Sequence, residues 1–140
     1  MFMNVKEIIE EAIELNKRSY SPYSKFQVSA ILVTGENKKY KGVNIENASY
    51  SMTMCAERVA MYSAIADGET EFFGIVIVGG QNGKITDFCY PCGACRQVMA
   101  EFCDPDKFMI ILAKTPECYN VYTLRELLPQ SFKLDTKKSE

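Results

Sequence analysis

Phe72-Phe73-Gly74-Ile75-Val76-Ile77-Val78 is the stretch that decides the fold class of this chain of 140 residues. Such a short and almost entirely apolar run is typical of a β-strand that other elements cover on both faces. A second buried strand is predicted over residues 108–112. A helix over residues 55–67 precedes the first strand, and a helix from about Cys92 to about Cys103 precedes the second. This alternation predicts an α/β fold in which helices cover both faces of one sheet.

The rest of the chain is predicted to complete a single domain. An amphipathic first helix is indicated over residues 4–18, where apolar side chains recur at helical spacing. The other predicted features, in chain order, are strands over residues 26–33 and 39–45, a hairpin turn at 34–37, a helix stop at Gly68, a turn at Asn82-Gly83, and a final helix at Leu124, Leu127 and Leu128 that Pro129 ends. We expect residues 1–134 to form this domain and residues 135–140 to be a polar, frayed tail.

Composition restricts the classes of partner. The formal net charge is -2 and the Lys and Arg residues are scattered, which disfavours nucleic acid and favours a small-molecule substrate. No apolar run approaches the roughly 20 residues that span a bilayer. Residues 1–5 show no basic region followed by an apolar run, so no signal peptide is predicted. From both observations we expect no membrane partner. Six cysteines without an export signal indicate a reducing compartment, which predicts a cytoplasmic protein.

The absence of histidine excludes several kinds of site. Neither a Ser-His nor a Cys-His nucleophile pair can form. No metal can be bound through an imidazole ring, so any metal must be held by sulfur or oxygen. Sulfur ligands favour zinc over magnesium or calcium.

Two segments contain the residues for a zinc site, namely Cys55-Ala56-Glu57-Arg58 and Pro91-Cys92-Gly93-Ala94-Cys95-Arg96-Gln97. At the first turn of a helix, Cys92 and Cys95 share a face, and the helix N-terminus favours their thiolate forms. Cys55, at a second helix start, would supply the third sulfur and leave the fourth position of zinc open for water. Glu57 would move protons to and from that water. This combination fits the hydrolytic removal of an amino group from a nucleobase.

The charge of such a site favours a cationic neighbour. Three thiolates and one zinc ion have a net charge of -1, which weakens the ability of the metal to acidify water. A cation that donates hydrogen bonds to the sulfurs restores part of that ability. Arg58 and Arg96 are the adjacent candidates, and Arg58 is the preferred one.

Other interpretations of the cysteines stay open at this point. Cys89 stands three residues before Cys92. If Cys89 joined the three sulfurs, the result would be a closed structural zinc site, which would leave Glu57 without a role. A redox dithiol at Cys92 and Cys95 would ignore the upstream segment as well. The two remaining cysteines are predicted to be ordinary half-buried thiols: Cys103 and Cys118.

The chain resembles the small, homotetrameric, zinc-dependent cytidine deaminases over about residues 20–132. The resemblance rests on the two zinc segments and on Ser21-Pro22-Tyr23-Ser24-Lys25-Phe26, Asn44-Ile45-Glu46-Asn47 and Glu126-Leu127-Leu128-Pro129. The zinc segments alone indicate only the wider group of zinc deaminases, whereas the segments at residues 21–26 and 44–47 narrow it to nucleoside enzymes. The resemblance implies a three-layer α/β/α fold around a mixed sheet of about five strands. It also implies a homotetramer with shared active sites.

The resemblance assigns roles to individual residues. One zinc ion per chain would be bound by Cys55, Cys92 and Cys95. Glu57 would carry a proton from water to N3 of the cytosine ring and help the amine leave as ammonia. The substrates would be cytidine and 2′-deoxycytidine. The residues implied to bind them are Asn44 and Glu46 at the ribose, Phe26 against the base, Ala56 through its backbone, Tyr50 across a subunit boundary, and Phe132 reaching a neighbouring site.

The residue pattern alone leaves some of these roles open. Asn44 and Glu46 are two apart on an extended segment and point to one side, but a solvated loop would show the same pattern. Phe26 by itself is typical of a core residue. Two positions depart from the family pattern, Ser29 where glycine is usual and Tyr90 where serine is usual. Tyr90 is expected to crowd the site or alter its hydrogen bonds.

Three other functions compete with nucleoside deamination. The substrate of a related enzyme could be a nucleoside-like antibiotic, as in the blasticidin deaminases, although Asn44 and Glu46 suit a ribose. A nucleic-acid editing deaminase is disfavoured by the low basic charge. A zinc-stabilised structural module would keep every function after the change Glu57→Gln. An enzyme would keep zinc and fold after this change and lose nearly all turnover.

Overall fold

The computed structural model describes residues 4–127, which form one mixed sheet with helices on both faces. The regular elements, in chain order, are α1 Val5–Leu15, β1 Phe26–Thr34, β2 Lys39–Val43, α2 Ala56–Ala66, β3 Phe72–Gln81, α3 Gly93–Phe102, β4 Met109–Thr115, β5 Cys118–Thr123 and α4 Leu124–Leu127. Short 3-10 helices occupy Asn16–Arg18 and Tyr50–Met52. The predicted helix end at Pro129, the residue Phe132 and the tail at 135–140 lie outside the described residues.

The strands are arranged in the order β2-β1-β3-β4-β5. β1 pairs antiparallel with β2 and β3, β3 pairs parallel with β4, and β4 pairs antiparallel with β5. The parallel pair is connected through α3, because parallel neighbours need a crossover. The predicted fold class, a mixed five-stranded sheet between helical layers, is confirmed.

Alternation of side chains along the strands divides the core into two layers. On one face, Leu32 and Ile75 belong to a cluster that includes residues of α2, α3 and α4. On the other face, Ile31 and Val76 pack with residues of α1. β3 is therefore buried on both faces, as its apolar sequence predicted.

Side-chain capping and residues with positive φ explain the helix ends and turns. Asn4 caps α1, because its side chain accepts a hydrogen bond from the backbone N–H of Glu7 at 3.2 Å. Gly68 follows α2 with a φ of 92°, a conformation that favours glycine. The hairpin turn contains Asn37 at φ 68°, and the later turn contains Asn82 at φ 55°. Asparagine adopts this left-handed region more readily than most residues.

Several predicted bounds differ from the structure. The strand predicted over residues 39–45 ends at Val43, and the strand predicted over residues 108–112 spans Met109–Thr115. The first helix ends at Leu15 as an α-helix and continues as a 3-10 turn, where a helix over residues 4–18 was predicted. β5 was not predicted from the sequence. This strand pairs on one side only and has no fully buried residue, so its sequence lacks the apolar pattern that revealed β3.

Helix α2 approaches the sheet closely at Gly42 in β2. A Cβ atom at this position would lie 2.1 Å from the carbonyl oxygen of Ala56 and 2.6 Å from the backbone nitrogen of Ala60. Glycine is required here because backbone atoms of the helix occupy the space of a side chain. The contact fixes the start of α2, which carries Cys55 and Glu57.

Helices of the described part are short. The longest, α1 and α2, each have 11 residues. Across residues 4–127, no helix has both the length and the apolar character needed to cross a membrane.

Candidate metal centre and active site

The three predicted zinc ligands lie at the N-termini of two helices. Cys55 is the N-cap residue of α2 and Cys92 is the N-cap residue of α3, both with extended backbone. Cys95 lies in the first turn of α3, and its backbone N–H donates to the sulfur of Cys92 at 3.5 Å. The predicted placement of all three at irregular helix starts is confirmed. Helix N-termini stabilise the negative charge of thiolates.

The sulfur atoms converge at distances that suit zinc. The Sγ atoms of Cys55 and Cys92 are 3.7 Å apart, and those of Cys92 and Cys95 are 3.4 Å apart. All three lie within 4.8 Å of one another. Zinc–sulfur bonds of about 2.3 Å in tetrahedral geometry place the sulfurs roughly 3.8 Å apart. The cluster can therefore hold one zinc ion without a large rearrangement.

The thiols of this cluster influence one another's protonation. Hydrogen bonding with Cys55, and then with Cys95, lowers the pKa of Cys92 well below that of an ordinary thiol. Hydrogen bonding with Cys92 is the main cause that raises the pKa of Cys55, and hydrogen bonding with Cys55, and then with Cys92, raises the pKa of Cys95. Without a metal, negative charge is therefore concentrated on Cys92. Binding of a cation to all three sulfurs displaces the remaining protons.

Arg58 supplies the cation that the charge of the site favours. Its Nη2 donates to the sulfur of Cys55 at 3.3 Å, and this contact raises the pKa of the guanidinium above its usual value. The guanidinium therefore remains charged beside the metal ligand. Its buried Nε has no hydrogen-bond partner among residues 4–127. The preference for Arg58 agrees with the position of Arg96, which donates to the carbonyl oxygens of Pro91 and Leu127 at 3.0 and 2.9 Å.

Glu57 is buried beside the sulfur cluster in the first turn of α2. Its side chain is 4% exposed, and burial raises its pKa to about 7, with smaller contributions from neighbouring groups. A carboxyl group that titrates near neutral pH can both accept and donate a proton under working conditions. Glu57 therefore has the protonation behaviour that proton transfer requires.

Cys55, Cys92 and Glu57 all line one cavity of about 150 Å³. Its walls contain the predicted residues Asn44, Ala56 and Glu57 together with the ligands Cys55 and Cys92. The other residues of the wall are Val28, Thr53, Met54, Cys89 and Tyr90. The lining is mostly apolar with a few polar groups, as in sites that bind small planar molecules.

Asn44 is fixed against the first strand. Its Nδ2 donates to the carbonyl oxygen of Phe26 at 2.8 Å, and its Oδ1 accepts from the backbone N–H of Val28 at 2.9 Å and from the hydroxyl of Ser19. The amide is therefore held rigidly in the wall of the cavity. Ser19 was not identified from the sequence, because it precedes the recognised motif and carries no distinctive pattern.

Glu46 is held by the loop that precedes β1. Its Oε1 accepts from the backbone N–H groups of Tyr23 and Ser24 at 3.0 and 3.1 Å, and its Oε2 accepts from the hydroxyl of Ser24. The Ser24 hydroxyl is the main reason that the pKa of Glu46 lies below its usual value. The carboxylate is therefore ionised and oriented. It lies outside the wall of the 150 Å³ cavity.

The remaining predicted binding residues are more peripheral. Phe26 begins β1, is 37% exposed and does not line the cavity. Tyr50 stands in the 3-10 helix Tyr50–Met52 and is 80% exposed. Phe132 lies outside the described residues. Within residues 4–127, only Asn44 and Ala56 of the predicted binding residues line the cavity itself.

The other cysteines stand apart from the cluster. Cys89 lines the cavity, but in the described part of the chain only three sulfurs form a possible metal group, and Cys89 is not one of them. Burial raises the pKa of Cys89 to about 12, so it remains a thiol. Cys103 is half-buried, as predicted, whereas Cys118 is exposed because it begins the edge strand β5.

The two departures from the family pattern have different surroundings. Ser29 is fully buried on the α1 face of the sheet, where its hydroxyl donates to the carbonyl oxygen of Ala12 at 2.6 Å and accepts from Asn16 at 3.3 Å. It therefore joins α1 to β1 and does not enter the cavity. Tyr90 does line the cavity, and its hydroxyl lies 3.2 Å from that of Tyr122.

Comparisons with known proteins agree with this geometry. A family model for the cytidine and deoxycytidylate deaminase zinc-binding region matches residues 3–112. A cytidine deaminase of Sporosarcina psychrophila is 40% identical over 130 residues, which cover 93% of this chain and 92% of that protein. The crystal structure of cytidine deaminase from Burkholderia pseudomallei, also 40% identical, matches with a TM-score of 0.82 over 93% of this chain and 100% of that chain. The chain therefore belongs to the family of zinc-binding cytidine and deoxycytidylate deaminases.

The family also includes a relative with a different substrate in its name. A blasticidin-S deaminase of Bacillus cereus is 30% identical over 135 residues and covers 90% of this chain and of that protein. Membership of the family therefore defines the zinc chemistry more sharply than it defines the molecule that is deaminated.

Proposed function

We propose that this protein hydrolyses cytidine and 2′-deoxycytidine to uridine and 2′-deoxyuridine with release of ammonia, as a step of pyrimidine salvage. The observation that carries the proposal is the convergence of three thiol groups within 4.8 Å beside the buried carboxyl group of Glu57. Both groups border one cavity, so a planar ring can meet metal and proton carrier together. The names and the 40% identity of the relatives support cytidine as the base-bearing substrate.

Zinc would be held by Cys55, Cys92 and Cys95. When bound, it supplies Lewis-acid chemistry that makes water a nucleophile near neutral pH. Arg58 offsets part of the negative charge of the sulfurs through its contact with Cys55. One ion per chain follows from the single group of three ligands found within residues 4–127.

Glu57 would move the protons of the reaction. It accepts a proton from the attacking water, delivers it to N3 of the ring, and assists protonation of the amine that leaves C4 as ammonia. Its pKa of about 7 suits both directions of transfer. Its position in the first turn of α2 keeps the carboxyl group within the cavity and away from bulk water.

The nucleoside would be bound along the wall that begins at α2. The backbone of Ala56 would form hydrogen bonds with the pyrimidine. Asn44 and Glu46 would bind the ribose, with Glu46 at the 3′-hydroxyl. The rigid hydrogen bonds of Asn44 and Glu46 support this assignment, because an oriented amide and an ionised carboxylate suit hydroxyl groups. Phe26 would pack against the base.

The proposal also covers the oligomeric state and the cellular location of the protein. A homotetramer would bring Tyr50 and Phe132 of neighbouring subunits to each active site. The high exposure of Tyr50 supports a role in which another chain covers it. A single domain over residues 1–134 and a cytoplasmic location are also proposed. The six cysteines without a disulfide among the described residues support a reducing environment.

A second candidate is deamination of a nucleoside-like antibiotic, which the similarity to blasticidin-S deaminase favours. The same zinc and proton chemistry would serve both substrates. The two candidates differ at the ribose end, where Asn44 and Glu46 support the nucleoside.

The test is turnover of cytidine by zinc-loaded protein, measured as loss of absorbance at the cytosine band. The change Glu57→Gln should lower kcat by about 10²–10⁴-fold, because the amide cannot carry a proton. Zinc content per chain and the unfolding temperature should stay close to those of the wild type. The matched control is Glu101→Gln, an exposed position on α3 that leaves the cavity unchanged.

Each result distinguishes between the candidates. Turnover of cytidine by the wild type and the control, with loss in Glu57→Gln, supports the proposal. Turnover of blasticidin S without turnover of cytidine or 2′-deoxycytidine supports the second candidate. Full zinc content with no turnover of any of these substrates contradicts both candidates and indicates a structural zinc site.

A further inference from the structure

Tyr90 forms one wall of the cavity, at a position where the family pattern usually has serine. It stands two residues before Cys92, and both residues line the same cavity as Glu57. Tyr90 is 51% exposed, so the rest of the chain encloses it only in part. A tyrosine here fills space that a serine would leave empty.

The side chain of Tyr90 contacts the side chain of Tyr122. Their hydroxyl oxygens are 3.2 Å apart, and their ring centroids are 6.0 Å apart at an interplanar angle of 48°. These values are typical of a tilted aromatic pair. Tyr122 is itself fixed, because it is paired with Ile110 in the sheet and packs against the core cluster of that face.

The chain on the other side of Tyr90 is also fixed. Cys89 packs on the sheet at Gly79, where an added Cβ atom would lie 2.8 Å from the Cys89 sulfur and 3.2 Å from a methyl group of Val28. Pro91 is buried, and its carbonyl oxygen accepts from Arg96 at 3.0 Å. The backbone on both sides of Tyr90 is therefore held in place.

The cavity is small for the ligand class that the site suits. Its volume of about 150 Å³ lies below the usual range of about 300–1,000 Å³ for small-molecule sites. The carbon atom that reacts must lie close to the sulfur cluster and to Glu57. Tyr90 lines the same cavity as Cys92 and Glu57, so a ring placed for the proposed reaction would bring its C4, amine and C5 toward Tyr90.

We propose that Tyr90, held in place by Tyr122, is a specificity-determining residue that limits the size of substituents on the cytosine ring and its amine. This inference rests on the proposed function. Unsubstituted cytosine nucleosides are accepted, and nucleosides methylated at C5 or at the amine are disfavoured. The reaction is the same in each case: water provides the oxygen of the new C4–O bond, the C4–N bond breaks, and ammonia or methylamine leaves.

The experiment compares kcat/KM for cytidine, 5-methylcytidine and N4-methylcytidine. Tyr90→Ser should raise the ratio of kcat/KM for at least one methylated nucleoside to that for cytidine by about tenfold, the usual effect of room for one methyl group. Tyr122→Phe keeps both rings and removes the contact between hydroxyls. It should shift the same ratio in the same direction by about twofold to tenfold. Tyr62→Ser, on the exposed surface of α2, is the matched control.

The outcomes separate this inference from the proposed function. If the wild type turns over cytidine and both ratios stay unchanged in Tyr90→Ser, the inference is wrong and the proposed function stands. If the wild type does not turn over cytidine, the proposed function is contradicted, and the inference that rests on it is overturned as well. If Tyr90→Ser does not fold, Tyr122→Phe decides: a ratio equal to that of the wild type overturns the inference, and a shift absent from Tyr62→Ser supports it.

Discussion

At the scale of single residues, the balance of charge around the sulfur cluster depends on Arg58. Three thiolates exceed the charge of one zinc ion, and an excess of negative charge weakens the polarisation of water. The guanidinium donates to the sulfur of Cys55 at 3.3 Å and so withdraws electron density from a ligand. In the proposed mechanism, Arg58 would act through Cys55 as a positioning and charge-compensating residue.

The change Arg58→Gln should reduce turnover of cytidine or affinity for zinc by about 10–100-fold, which is the usual cost of removing a partner of a metal ligand. The measurements are kcat with saturating zinc, and the zinc dissociation constant from competition with a chelator. Arg58→Lys should recover part of the loss, because it keeps the charge and loses the planar fork.

Arg125→Gln is the control for a general effect of losing an arginine. Arg125 pairs with Asp106 at an exposed position on α4, where the ion pair contributes little to stability. Turnover and zinc affinity should match those of the wild type. A variant Arg58→Gln with unchanged zinc affinity and unchanged kcat would contradict the role assigned to Arg58.

At the scale of elements, the site depends on how closely α2 approaches β2. Gly42 makes this possible, since an added Cβ atom would lie 2.1 Å from the backbone oxygen of Ala56. Ala56 follows the ligand Cys55 and precedes Glu57. A displacement of the helix start would therefore move Cys55 and Glu57 together, the proposed zinc ligand and the proposed proton carrier.

The change Gly42→Ala should destabilise the protein by about 1–3 kcal/mol, because α2 must shift to make room for the methyl group. Zinc content and kcat should both fall, since the sulfur of Cys55 leaves its position beside Cys92. The measurements are thermal unfolding with and without zinc, zinc content and turnover of cytidine.

Gly35→Ala is the matched control for a glycine in the same hairpin. Its added Cβ atom would lie 3.3 Å from the Cβ of Glu71, an exposed side chain that has room to adjust. We expect a change in unfolding free energy within about 0.5 kcal/mol. Loss of zinc in Gly35→Ala but not in Gly42→Ala would refute the importance of the contact between α2 and β2.

The elements were predictable from sequence to different degrees. The continuous apolar run of β3 and the amphipathic pattern of α1 are strong signals, and both elements are present, although α1 ends as an α-helix at Leu15. β5 has no such signal, because an edge strand with one partner buries few side chains. Tyr122 belongs to β5, so its contact with Tyr90 could not be inferred from the sequence.

At the scale of the whole molecule, exposed apolar side chains surround the loops near the site. Tyr20, Tyr23, Ile45, Tyr50 and Met52 are all exposed to solvent in the single chain. Exposed aromatic side chains such as Tyr50 are enriched where another protein chain covers the surface. This supports the proposal of a homotetramer in which Tyr50 completes the site of a neighbour.

Complementation between two inactive variants tests the shared site. If the proposal holds, Glu57→Gln lacks the proton carrier and Tyr50→Ala lacks the side chain that would complete the site of a neighbouring subunit. A co-expressed mixture should show more turnover per chain than either variant alone, because some sites then combine an intact Glu57 with an intact Tyr50. The mass in solution, by light scattering, should be about four times the chain mass of 15.8 kDa.

Two results would contradict the shared site. One is a fully active monomer at the concentration of the assay. The other is full activity of Tyr50→Ala alone, which would remove any need for the neighbour. Tyr62→Ala on α2 serves as the control for the loss of an exposed tyrosine.

The sequence by itself determined the class of fold, the family and the chemistry of the metal ligands. These properties reside in residue type and local spacing. An apolar run specifies a buried strand, Cys-x-x-Cys at a helix start presents two sulfurs on one face, and a chain without histidine leaves sulfur to bind zinc.

Only the tertiary structure decided which distant groups meet. The 3.7 Å between the sulfurs of Cys55 and Cys92 depends on α2 and α3 packing on the same face of the sheet. The pKa of about 7 for Glu57 arises from burial, which is a property of the packed molecule. Likewise, Ser29 faces α1 while Tyr90 faces the cavity, because the sheet separates two positions that look equally unusual in the sequence.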